Sequence, residues 1–168
     1  LIDFVVLLDA GLALGFTQTS QPDAALAGEH AHLPERRLDL RERPPRLQGR
    51  HHDLASAFER INSEYFEGRV EAAITWSRKQ PGRVRRRTLG SYCPLSRTVR
   101  INPVLDNPSV PVLFVDFIVY HEMLHAHVGI GEKGGRRVVH SREFREKERE
   151  FKRFEEASSW ERANRALL

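Results

Sequence analysis

Residues 110–128 read VPVLFVDFIVYHEMLHAHV. Val112, Leu113, Phe114, Val115, Phe117, Ile118, Val119 and Leu124 leave almost no polar face at helical spacing. A helix that is apolar all round is usually buried. Ser109 is the expected N-cap, Pro111 is tolerable in the first turn, and Gly129 and Gly131 mark the end. Within this stretch lies HEMLH, residues 121–125. His121 and His125 are four apart, so a helix stacks them on one face. Two imidazoles there can reach one metal ion at about 2.0–2.1 Å. Glu122 lies about 100° further round, outside the ligand ring but able to approach an activated water. Polar groups in a buried stretch are costly unless they are satisfied, which makes this pentapeptide a candidate metal site.

A catalytic zinc site needs a third protein ligand and an open fourth position. His127, Glu132, His140, Glu143 and Glu146 lie downstream. His127 points nearly opposite to His125, and Glu132 is close to the helix end. His140 opens the last helix after a loop long enough to reverse the chain. Glu143 and Glu146 are alternatives if that helix lies alongside the first.

Upstream, residues 53–66 carry Leu54, Ala57, Phe58, Ile61, Tyr65 and Phe66 at spacings of three and four, which predicts a helix stopped by Gly68. Residues 70–77 alternate as a half-buried strand through Ala72, Ile74 and Trp76. Two short strands, 88–93 and 98–102, are joined by residues 94–97 as a hairpin. After a Gly- and Arg-rich loop, one last helix is expected over residues 141–157, with Phe144, Phe151 and Phe154 on its apolar edge. The fold class is therefore α+β: helix, three short strands, metal-binding helix, C-terminal helix.

The chain has 168 residues, 40% hydrophobic and 30% charged, which fits neither a membrane protein nor a wholly disordered chain. Cys93 is the sole cysteine, so an internal disulfide and a cysteine-based zinc ribbon are excluded. Residues 1–16 are apolar but contain Asp3 and Asp9, which suits a short helix or upstream extension better than an anchor. Residues 17–50 contain four prolines and a run of arginines without apolar periodicity, and read as a linker. The expected organisation is an N-terminal extension and linker over 1–50, the domain over 51–160 and a tail over 161–168. A cytoplasmic location is expected.

The order FERINSEYFEGRV, ITWS, LGSY, VRINPVLDNP, VYHEMLHAHVGI and HSREF resembles the SprT-like family of zinc metallopeptidases, over about residues 51–157. DNA–protein-crosslink proteases of the Spartan type belong to that family. The resemblance implies a small zincin-like fold, one Zn²⁺ held by His121, His125 and His140, and Glu122 as general base. It also implies a protein or peptide substrate whose strand pairs with a sheet edge, at 88–93 or 98–102. Many relatives carry a C-terminal zinc ribbon that one cysteine cannot build, so a crosslink-repair role is not carried over on sequence alone.

Lys and Arg total 27 against 23 acidic residues, a formal charge of +4. Eight basic residues and no acidic ones fall between Arg78 and Arg100, with Arg83, Arg85, Arg86 and Arg87 the densest part. Such a segment suits contact with DNA phosphates, in competition with a role as a solvated loop. Two functions follow: a zinc peptidase, or a basic nucleic-acid-associated protein with a purely structural zinc site. Tyr120 and Tyr92 could reach an oxyanion, but packed tyrosines are the expectation for both.

Overall fold

The computed structural model describes residues 44–78, 88–129, 131–133 and 136–168. Its first helix, α1 (Leu54–Phe66), starts where Asp53 accepts hydrogen bonds from the N–H groups of Ala55 and Ser56. That satisfies two of the donors a helix start leaves open. The helix buries Leu54, Ala57, Ile61 and Phe66, the stripe expected from spacing. At its end Glu67 turns left-handed at φ 55°, Gly68 follows at φ 73°, and the Gly68 N–H returns to the Asn62 carbonyl. A positive φ is cheap for Gly68, which explains the stop there.

Strands β1 (Ala73–Trp76), β2 (Gly90–Cys93) and β3 (Thr98–Ile101) form a sheet in the order β1-β3-β2. β3 runs parallel to β1 and antiparallel to β2, with Cys93 opposite Thr98 and Gly90 opposite Ile101. The expected hairpin is present. Its second strand, however, is interior, so β3 is not an edge. Among the described strands β2 has a neighbour on one side only.

Residues 46–50, expected in the linker, are bonded into the domain. The Trp76 N–H donates to the Arg46 carbonyl at 2.9 Å, and the Trp76 indole donates to the Leu47 carbonyl at 3.1 Å. Asp106 accepts the backbone N–H groups of Arg50, His51 and His52 at 2.7, 2.8 and 3.2 Å. Arginine-rich composition hid this segment because its attachment runs through backbone groups, which composition does not report.

Helix α2 (Val112–Val128) crosses the middle of the domain. Twelve of its 17 residues are buried, including His121, Glu122 and His125. It packs on α1, β2 and β3 and on the two helices that follow. Pro111, not Ser109, occupies the N-cap position, without a side-chain cap. The Ser109 N–H instead donates to Asn107 Oδ1, an Asx turn that sets the entry.

Beyond α2 the Gly- and Arg-rich stretch contains a two-stranded ribbon, β4 (Gly131–Lys133) and β5 (Arg136–Val138), where a loop was expected. The single last helix is also two: α3 (Arg142–Glu148) and α4 (Phe154–Ala163). Between them the chain turns and buries Phe151 against Tyr65, Tyr120 and Phe117. The turn brings Phe154 to Phe117 and Trp160 to Phe114, ring centroids 5.7 and 4.5 Å apart. Apolar periodicity does not register such a break, because Phe144, Phe151 and Phe154 satisfy either arrangement. α4 passes residue 160, and Leu167 and Leu168 pack on the core, so the expected tail is part of the domain. Among the described residues no helix is long and apolar enough to cross a membrane.

Candidate metal centre

The buried turn of α2 and the residue before the α3 cap converge on one point. His121 and His125 stack at four-residue spacing, and His140 meets them from the chain between β5 and α3. The Nε2 atoms are 3.2 Å apart for His121 and His125, 3.3 Å for His121 and His140, and 3.2 Å for His125 and His140. Three ligands on a tetrahedral ion at about 2.0–2.1 Å stand about 3.3–3.4 Å from one another. The three nitrogens therefore fit a zinc-sized cation. Burial, with the neighbouring His121 and His140, holds His125 down to about 2. Burial and His121 lower His140 to about 4. Both rings are neutral near pH 7, the form that donates a lone pair to a metal.

The other ligand candidates stand apart. His127 is exposed, against the Phe66 ring at 5.3 Å. Glu143 is exposed, and Glu146 is exposed and paired with Arg142 at 2.8 Å. The Glu132 side chain lies outside the described set.

Glu122 is wholly buried, and neither carboxylate oxygen has a hydrogen-bond partner among the described residues. Burial pushes its pKa up to about 7, against the attraction of His121. Its room comes from β2: a Cβ on Gly90 would lie 2.6 Å from Glu122 Oε1 and 2.7 Å from its Cγ. A buried carboxylate without donors is costly, and such residues concentrate at sites of function.

Helix α3 supplies the layer behind the histidines. Ser141 caps it by accepting the Phe144 N–H. The Phe144 ring is fully buried and touches all three imidazoles: stacked on His125 at 4.4 Å, edge-on to His121 at 5.1 Å and to His140 at 4.9 Å. One turn further on, Glu148 Oε1 lies 2.7 Å from His121 Nδ1. That contact and burial act in opposition on His121: burial disfavours its charge, while Glu148 and the nearby carboxylates raise its pKa overall. Glu148 was missed in the sequence. Its spacing of four from Phe144, on one face of a short helix, was the available signal.

The Tyr120 hydroxyl is engaged elsewhere. Tyr120 donates its hydroxyl to the Lys147 carbonyl and packs among Tyr65, Phe66 and Phe151. Tyr92 is buried in β2. Arg83, Arg85, Arg86 and Arg87 lie outside the described residues. Of the remaining basic stretch, Arg97 pairs with Glu71 at 3.2 Å.

No curated protein and no solved structure gives a significant match to this chain. The family model of the SprT-like family matches residues 54–162, from the first residue of α1 to within the last turn of α4. That span holds the three histidines, Glu122, Gly90, Phe144 and Glu148. The chain belongs to the SprT-like family.

Proposed function

We propose that the chain is a zinc-dependent peptidase, with His121, His125 and His140 as the zinc ligands and Glu122 as the general base. The observation that carries this reading is the three Nε2 atoms at 3.2–3.3 Å, together with the buried Glu122 carboxylate of the same helix, which has no hydrogen-bond partner among the described residues. Bound zinc would supply a Lewis acid that polarises the scissile carbonyl and makes water a better nucleophile. Glu122 takes the proton of the attacking water as its oxygen bonds to the carbonyl carbon. It returns that proton to the amine nitrogen as the C–N bond breaks. A pKa near 7 suits a group that must both accept and donate. The walls of α2 and the sheet keep bulk water from the carboxylate.

A purely structural zinc site is the competing reading, and it gives Glu122 no task. The substrate in the favoured reading is a protein or peptide. The basic 78–100 segment is our candidate for DNA contact, supported by its uniform charge. Neutralising Arg83, Arg85, Arg86 and Arg87 together would then weaken DNA binding and flatten its salt dependence.

The first experiment measures the metal content of the purified chain and peptide hydrolysis by wild type and Glu122→Gln. The expected result is about one zinc per chain in both, with hydrolysis falling about 10²–10⁴-fold in the variant. A folded protein that takes up no zinc, or a Glu122→Gln protein as active as wild type, overturns the proposal.

A further inference from the structure

We infer that Glu148 is a positioning residue for the metal centre, fixing the ring of His121 through its Nδ1 atom. The inference rests on the three-histidine zinc reading and adds a residue outside the HEMLH pentapeptide.

An imidazole offers a metal only one nitrogen at a time, and the other nitrogen decides which way the ring faces. His121 directs Nε2 to His125 and His140, leaving Nδ1 on the far side, where Glu148 Oε1 lies at 2.7 Å. A carboxylate in that place accepts the Nδ1–H. It selects the tautomer with a free Nε2 lone pair, holds the ring plane and makes the ligand nitrogen more basic. Both partners are shielded from water, with side-chain exposures of 2% for His121 and 12% for Glu148. The contact is therefore weakly screened.

The backbone brings this carboxylate to a defined place. Ser141 caps the start of α3. The Tyr120 hydroxyl, on the residue beside His121, donates to the Lys147 carbonyl, beside Glu148. Two adjacent residues of α2 thus grip two adjacent residues of α3. Phe144, one turn back, rests on the imidazoles and sets the depth of the helix. Glu143 and Glu146, on the same helix, are exposed. Glu148 is the one α3 carboxylate that reaches His121 among the described contacts.

The experiment compares wild type, Glu148→Ala and Glu148→Gln for zinc affinity, by competition with a chromophoric chelator. It also records the imidazole N–H proton spectrum of the zinc-loaded proteins. Glu148→Ala should bind zinc about 10–100-fold more weakly and lose the protected, downfield His121 Nδ1–H resonance to solvent exchange. Glu148→Gln keeps an acceptor oxygen, so it should recover part of the affinity and show that resonance at a shifted position. If Glu148→Ala does not fold, the glutamine variant still decides through its resonance and affinity. Wild-type zinc affinity in a folded Glu148→Ala protein, or an unshifted His121 resonance in Glu148→Gln, overturns the role of Glu148 alone. A wild-type protein that takes up no zinc overturns the metal reading beneath it.

Discussion

Gly90 of β2 and Glu122 of α2 share a space that holds no Cβ: one built on the glycine falls 2.6 Å from the carboxylate oxygen. The sheet therefore reaches Glu122, the proposed general base, at the position where the backbone carries no side chain. Glu122 is fully buried, so its displacement has to be absorbed by packed neighbours. Gly90→Ala should leave zinc stoichiometry at the wild-type value. It should lower the rate of peptide hydrolysis about 10²-fold, the typical cost of misplacing a reacting group by about 1 Å. Metal content and kcat measured on one preparation test this. Wild-type kcat in the alanine variant would show that Glu122 has room the packing denies it.

The buried Glu122 also sets a stability difference that depends on pH. Its folded pKa, about 7, is raised above that of an exposed glutamate. A group raised in this way contributes its stability fully below the unfolded pKa, about 4.3, and loses it as pH rises through 7. In metal-free protein the penalty at full ionisation is on the order of 3 kcal/mol. Metal-free Glu122→Gln should therefore gain in Tm relative to metal-free wild type as pH rises from 5 to 8, while hydrolysis by its zinc form is lost. Thermal melts in chelator across that range check it. A Tm difference that stays flat would mean that the folded pKa of Glu122 is not raised above its unfolded value.

Much of this site was legible because its parts are local. The four-residue spacing of His121 and His125, and the offset of Glu122, follow from helix geometry alone. His140 was one option among several on spacing grounds and became firm through the family resemblance. The near-continuous apolar run of α2 correctly signalled a buried helix. The parts that escaped depend on distant chain segments. Nothing near Gly90 in the sequence says that a glutamate 32 residues later rests against it. The break after Glu148 arises because Phe151 has to enter a cluster built by Tyr65, Phe117 and Tyr120. The hold of residues 46–50 runs through backbone donors and acceptors, which carry no sequence signature.

Phe144 gives a prediction that separates packing from ligation. Its ring contacts all three imidazoles and is fully buried. Phe144→Ala removes both the ring contacts and the volume, and should cost about 3–5 kcal/mol of stability. Phe144→Leu keeps most of the volume and loses the flat face, so its stability cost should be smaller, under the full truncation value. Zinc affinity should fall in both, because the imidazoles lose the surface that holds their planes. Denaturant melts of the metal-free proteins, with chelator competition on the loaded ones, measure the two effects apart. Unchanged affinity in Phe144→Leu would assign the ring to packing alone.

Asp106 ties the segment before α1 to the loop before α2, and its acid response has a defined sign. Burial by itself would raise its pKa, but the backbone N–H groups of Arg50, His51 and His52 outweigh that and hold it below the ordinary aspartate range. A depressed folded pKa contributes stability that is present above the unfolded value, about 3.9, and is lost as pH falls through the folded one. Asp106→Asn keeps an acceptor oxygen but not the charge. It should be less stable than wild type at pH 7, and the gap should close as pH is lowered below about 4. Gly49 belongs to the same arrangement, since a Cβ there would lie 2.5 Å from Asp106 Oδ1. Gly49→Ala should push the carboxylate off its three donors and lower stability at pH 7 in the same direction. Urea melts of the three proteins at pH 7 and pH 3.5 test both statements. A gap between wild type and Asp106→Asn that is as wide at pH 3.5 as at pH 7 would show that the oxygen geometry, not the charge, holds residues 50–52 in place.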